Sequence, residues 1–163
     1  MFNRLENFLE QFPTNATSWS QATDEVYDLA RTSREFFDVD GCLKKYNDIY
    51  WTQNYKIQTG DIVCIYSSSP DSCIKYKLIV DAHDIPCQMD FEKEKEFYVD
   101  VNDFETAKEH NRFIKLRLLS ESHTHKMSLP HLLENGLAMA PRGGMNLSNA
   151  NASKLLKYIE ENF

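Results

Sequence analysis

Apolar and polar residues follow two rhythms along this chain, and the change from one to the other marks its parts. Phe2, Leu5, Phe8, Leu9 and Phe12 recur at helical spacing, so residues 2–12 predict an amphipathic helix that Pro13 ends. A polar connection, Ser18 to Asp24, follows it. Glu25 to Thr32 (EVYDLART) predicts a short strand, with a helix as the competing assignment. Helical spacing returns after Ser33. Phe36, Phe37, Val39, Cys42, Leu43 and Tyr46 form its apolar face, and Gly41 weakens it by about 1 kcal/mol relative to Ala.

The stretch from Ile49 to Pro86 carries the most information. It reads as an aromatic-bearing loop around Trp51, a lysine-containing turn, and then two strands. The first strand is a β-branched run, Ile62 to Ser67, launched from a Gly60-Asp61 turn. The second, Cys73 to Val80, alternates and then becomes continuously apolar, as in a wall that passes from half-exposed to buried. Asp81 to Asp90 reads as a loop, Glu96 to Val101 as an edge strand, and Arg112 to Leu119 as a half-buried strand. Ser128 and Pro130 start a short helix that Asn135-Gly136 closes. Ala140 to Gly144 is a loop rich in Pro and Gly, and a last helix runs from about Ala150 to Glu161. Leu155, Leu156, Tyr158 and Ile159 form its inner face.

A length of 163 residues with 42% hydrophobic content predicts a real core, divided into a helix and connection (1–20) and one domain (21–163). The formal net charge is −7, which argues against a general nucleic-acid coat, because such binding rests on Lys and Arg neutralising phosphates. A nucleic-acid site on this body has to be a local one. The four cysteines form no C-x-x-C pair, and Cys64 reads as a core residue, so a zinc framework is not expected. His123, His125 and His131 read as a polar loop rather than a metal site. With no apolar run long enough to span a membrane and no signal peptide, the expectation is a cytoplasmic protein with reduced thiols. No G-x-S-x-G elbow, P-loop or G-x-G-x-x-G is present, so neither catalysis nor a cofactor is expected.

In order and spacing, several of these segments resemble the EVE domain of the PUA/YTH-like superfamily, of the kind associated with McrB-type modification-dependent restriction enzymes. The segments are Phe36-Phe37-Asp38-Val39, Ile49-Tyr50-Trp51-Thr52-Gln53, Gly60 to Tyr66, Ile74-Lys75-Tyr76-Lys77 with Val80, Asp84-Ile85-Pro86, Glu134-Asn135-Gly136-Leu137 and Ala140-Pro141-Arg142-Gly143. The resemblance covers roughly residues 25–163 and implies an α+β fold: a small, curved, mixed β-barrel flanked by helices, here with an extra N-terminal helix. It also implies a pocket for a flipped, modified base such as 5-methylcytosine. Carried over, that pocket is lined by Thr32, Ser33, Trp51, Thr52, Gln53, Tyr66, Ser67, Pro141 and Arg142. Trp51 and Tyr66 would sandwich the base, with hydroxyl and amide groups reading its edge. Arg31, Arg34, Lys44, Lys45 and Lys56 are the expected phosphate contacts. Arg31-Thr32-Ser33 departs from the family's more usual Asn- and Pro-containing turn, and Ser67-Ser68-Ser69 is more polar than its common version.

The leading expectation is a non-catalytic reader of DNA carrying a modified base, with RNA as the lesser alternative and a nuclease or motor subunit as a partner. The second is a protein-interaction module, such as a phage-encoded inhibitor of a defence nuclease, docking through the apolar N-terminal helix. A small nucleotide hydrolase ranks third, because no catalytic constellation supports it. An open pocket at Trp51 and Tyr66 ringed by cations favours the reader. One filled by the protein's own side chains favours the interaction module.

Overall fold

The structure is a computed structural model that describes residues 26–52, 56–86, 89–110 and 112–163. The expected N-terminal helix, Gln53 and Cys87 lie outside the described residues. Six strands form one sheet: β1 (Tyr27–Thr32), β2 (Asp48–Thr52), β3 (Ile62–Ser67), β4 (Cys73–Ile85), β5 (Phe113–Glu121) and β6 (Met145–Asn146). Their order is β2-β5-β4-β3-β1-β6. β1 runs parallel to β3, and every other pairing is antiparallel. Among the described residues four α-helices accompany the sheet: α1 (Val39–Tyr46), α2 (Val101–Glu109), α3 (Leu129–Glu134) and α4 (Ser153–Asn162).

The sheet does not close, so the expected barrel is corrected to a curved, open sheet with β2 and β6 as its edges. Two features keep it open. β6 is only two residues long and offers little to pair with. On β2, the backbone N–H of Tyr50 donates to the Glu94 carboxylate at 2.7 Å, so a side chain takes a donor that closure would have needed. Curvature comes from β4, whose pairing shifts register once against β3 and three times against β5. Each bulge bends the strand and increases its twist.

Alternation along the strands separates two cores. Val63 and Ile65 of β3 join Ala30, Leu78, Ile114 and Leu116 on the face that α1 covers. Ile62, Cys64 and Tyr66 join Leu29, Met127, Leu132, Leu155 and Ile159 on the face that α3 and α4 cover. All six residues of β3 are buried, as expected of a strand covered on both sides. The Gly60-Asp61 turn launches it as expected. Gly60 takes φ 96°, and the Asp61 carboxylate accepts from the Gln58 N–H at 2.8 Å.

Several elements differ from expectation, each for a local reason. Residues 48–52 form edge strand β2 rather than a loop, with Trp51 opposite Ile114 of β5. β4 continues through the expected loop as far as Ile85, held to β5 through its bulges and by the Arg117–Asp81 and Arg112–Asp84 ion pairs. The expected edge strand at 96–101 is instead the end of a 3-10 segment, Met89–Phe97, and the start of α2. Phe91, Glu94 and Phe97 recur every third residue, the spacing at which a 3-10 helix stacks side chains on one face. The helix expected after Ser33 begins only at Val39, where Asp38 caps it; Val39, Cys42 and Leu43 form its buried face, Phe37 packs from the segment before it, and Phe36 stays 53% exposed.

Candidate functional site

Between the sheet's two flanks lies a cavity of about 430 Å³. Trp51 and Thr52 of β2 line one side, and Ala30 and Arg31 of β1 line the other. Three strands separate β2 from β1 in the sheet. On a flat sheet with strands about 4.8 Å apart they would stand about 19 Å from each other. That they share one cavity measures the curl of the sheet. The cavity occupies the gap where a barrel would have closed.

Its inner wall is aromatic and aliphatic. Phe37 and Tyr98 meet with ring centroids 4.7 Å apart, and Val63, Ile57 and Ile114 complete that wall. Phe37 and Tyr98 are also joined by a β-bridge, which ties the segment before α1 to the segment before α2. Burial and the nearby carboxylates of Glu94 and Asp103 hold the Tyr98 phenol protonated, well above the usual tyrosine range. At the mouth, Arg31 and the Gly143-Gly144 pair are exposed. A Cβ built on Gly143 would meet nothing within 4 Å, so this glycine leaves open room rather than a packed contact.

Of the expected pocket residues, Trp51 and Thr52 line the cavity and are half-buried. Tyr66 does not join them. It is 2% exposed and packs on the opposite face of the sheet with Leu29, Cys64 and Met127. Alternation along β3 decides this: Val63 and Ile65 point toward the α1 side, so Tyr66 points away from it. Trp51 and Tyr66 therefore do not face one pocket, and Tyr50, Phe37 and Tyr98 are the other aromatic groups among the described residues lining the cavity.

Thr32, Ser33 and Ser67 are buried structural groups at the strand ends. The Thr32 carbonyl accepts from the N–H and the hydroxyl of Ser68, both at 3.0 Å. The Ser33 carbonyl accepts from the N–H groups of Phe36 and Phe37, and the Ser67 hydroxyl donates to Asp71 at 2.9 Å. Pro141 is buried, while Arg142 is exposed beside Gly143 and makes no ion pair with a described residue.

The expected phosphate contacts also divide. Arg31 lies at the cavity, and Lys44 and Lys56 are exposed away from its lining. Arg34 is held by Asp71 through two contacts of 2.8 Å, and Lys45 by Glu96. In so acidic a chain, carboxylates engage these cations. Lys75 sits in the bulge between β3 and β4 and joins the same network, 2.8 Å from Asp40, which also accepts from the Tyr76 hydroxyl. His125 and His131 meet edge to face, and Ser128 hydrogen-bonds His131 at 2.9 Å. Among the described residues no group of His, Cys, Asp and Glu is arranged to hold a metal ion. Nor does any described helix have the length and apolarity to cross a membrane.

The residues missed in the sequence belong to α2. Asp103, Thr106, Ala107 and His110 all line the cavity. Their spacing of three, four and seven residues puts them on one helical face. That spacing stands in a stretch, 102–111, to which the sequence reading assigns no element.

Comparison with solved structures bears on the fold. The structure of ASCH from Zymomonas mobilis superposes with a TM-score of 0.55, over 80% of this chain and 94% of that one, at 12% identity. A hypothetical protein from Leishmania major gives 0.54, over 86% and 98%, at 18% identity. A protein of Agrobacterium tumefaciens gives 0.54, over 84% and 92%, at 12% identity. The chain shares the fold of these proteins. At these identities the likeness carries the architecture alone. No protein-family profile matches the chain, and no curated protein matches it significantly.

Proposed function

We propose that this protein is a non-catalytic reader that takes one flipped, modified base of a nucleic-acid strand into the cavity and stacks it on Trp51. One observation carries the reading: a half-buried tryptophan forms a wall of a cavity of about 430 Å³, and an arginine and a Gly-Gly loop flank its mouth. Pockets of roughly 300–1,000 Å³ suit small planar ligands. Flipping a base costs a few kcal/mol, and stacking on an aromatic side chain returns roughly 1–3 kcal/mol. With Tyr66 in the core, one such face is available at Trp51, so affinity is modest. Arg31 at the cavity and Arg142, exposed next to Gly143, are the cations proposed to meet the phosphates beside the flipped base. The EVE-type resemblance makes 5-methylcytosine in DNA the first mark to test. It also makes modification-dependent restriction, with a nuclease or motor subunit, the setting in which such a reader acts.

The test is binding to matched oligonucleotides, single- and double-stranded. They are unmodified or carry 5-methylcytosine, 5-hydroxymethylcytosine or N6-methyladenine. We expect preference for one modified strand, weakened at least about tenfold in Trp51→Ala. Equal binding by wild type and Trp51→Ala would sink the proposal.

A second reading, a protein-interaction module, draws on one surface feature. Phe36, Val99 and Val101 are 53%, 66% and 52% exposed, and the Val99 N–H donates to the Phe36 carbonyl at 3.1 Å, so they form one apolar patch. Patches of this kind mark contact surfaces. If no oligonucleotide binds while Phe36→Ser abolishes capture of a nuclease subunit, this reading replaces the first.

A further inference from the structure

The face that α2 turns toward the cavity is polar: Asp103 is half-buried there, while Thr106 and His110 are exposed. A helix packed against a core normally presents apolar residues at three-, four- and seven-residue spacing. Here the residues that α2 and its C-cap present to the cavity are Asp103, Thr106, Ala107 and His110. The helix is held by a different residue, Phe104, which is fully buried and stacks on Phe91 at 5.1 Å. Ala107 also packs on the Phe91–Phe104 cluster, which leaves the three polar residues of the face to the cavity. Asp103 is half-buried, and its side chain has no hydrogen-bond or ion-pair partner among the described residues. Among the described residues lining the cavity it is the one carboxylate, and Arg31 is the one permanent cation.

We infer that the Asp103–Thr106–His110 stripe reads the Watson–Crick edge of the cavity's ligand and selects one with an exocyclic amino group beside an unprotonated ring nitrogen, which guanine, protonated at N1, does not offer. This deepens the base-reader proposal and rests on it for the nature of the ligand. The ring stacks on Trp51, and its edge meets the stripe. The Asp103 carboxylate accepts from the amino group. The Thr106 hydroxyl or the His110 ring N–H donates to the adjacent ring nitrogen. Cytosine offers this pair as N4–H₂ and N3, and adenine as N6–H₂ and N1. Uracil and thymine place a carbonyl oxygen where the amino group should be, and a carboxylate repels it. Good acceptor–donor pairs of this kind discriminate by about 1–3 kcal/mol.

The experiment titrates isotope-labelled protein with cytidine, adenosine, uridine and guanosine by NMR, for wild type, Asp103→Asn and Trp51→Ala. A parallel arm measures oligonucleotide binding by the same three proteins. We expect cytidine or adenosine to bind at least about tenfold more tightly than uridine and guanosine. In Asp103→Asn, whose amide serves as donor or acceptor, that preference should fall severalfold while the fold and Trp51 stacking persist. Which of the two nucleosides wins names the base. Equal binding of all four, no binding, tighter guanosine binding, or an unchanged preference in Asp103→Asn each overturns the inference. The base-reader reading fails separately, if oligonucleotide binding is indifferent to Trp51→Ala while the nucleoside preference stands.

Discussion

Two aromatic residues of one sequence motif have opposite fates here, and stability measurements separate them. Tyr66 is buried against α3 and α4, while Trp51 lines the cavity. Tyr66→Ala should cost about 3–5 kcal/mol in a denaturant titration, the range for removing a buried aromatic. Trp51→Ala should cost less, because its side chain is only half-buried, and it alone should weaken ligand binding. The buried carboxylates give a second prediction. Burial pushes Glu94 up to about 8 from 4.5, and burial with the neighbouring Asp61 pushes Asp28 up to about 6 from 3.8. Both oxygens of Asp28 and one of Glu94 are buried without a partner. A carboxyl raised on folding holds its proton longer in the folded state, so it lowers stability as pH rises from the unfolded to the folded value. For Glu94 that window is pH 4.5 to 8, and for Asp28 it is 3.8 to 6. Relative to wild type, Glu94→Gln should therefore gain stability between pH 5 and pH 9, each pKa unit being worth about 1.4 kcal/mol. A constant gap between the two denaturation midpoints would contradict this. Nothing in the sequence singles out Glu94, because it stands in the charged run 90–96 (DFEKEKE), and such runs usually face solvent.

At the level of elements, α1 shows why a propensity scale misjudges one residue. Gly41 looks like a weak point in the helix. Its N–H, however, donates to the Asp38 side chain at 3.0 Å in the N-cap, and a Cβ there would collide with the Asp38 carboxylate and crowd the Phe97 ring. Gly41→Ala should therefore destabilise the protein, although alanine is favoured over glycine by about 1 kcal/mol in a free helix. In the Asp38→Ala background, itself costing about 1 kcal/mol for the lost cap, the Gly41→Ala penalty should shrink. A double-mutant cycle by thermal melting reads this directly. The same lesson runs through α2. The sequence reading assigns no helix there, and which stripe faces a cavity depends on Phe104 finding Phe91, a contact between elements.

For the whole molecule, the acidic balance and the open sheet act together. A net charge of −7 leaves few cations for a strand, and ion pairs hold Arg34 and Lys45. With about three phosphates neutralised, by Arg31, Arg142 and one lysine, log K should fall against log salt with a slope of about −2 on a single strand. Arg142→Ala should make that slope shallower by about 0.7. A slope near −5 would place a larger basic surface in contact.

Local order was readable in the sequence: the turn before β3, the buried β3, the half-buried β5, α3 with its Gly136 stop, and α4. Each depends on interactions within a few residues, such as side-chain alternation, an Asx turn or a left-handed glycine. The tertiary structure decided what depends on long-range pairing. Bulges in β4 curl the sheet, Glu94 occupies an edge donor of β2, and β6 is too short to pair across the gap. From these follow the open barrel, the cavity in its gap, and the separation of Tyr66 from Trp51. Pleat parity fixes which face a residue takes, but only the partner across the sheet says which face holds the cavity.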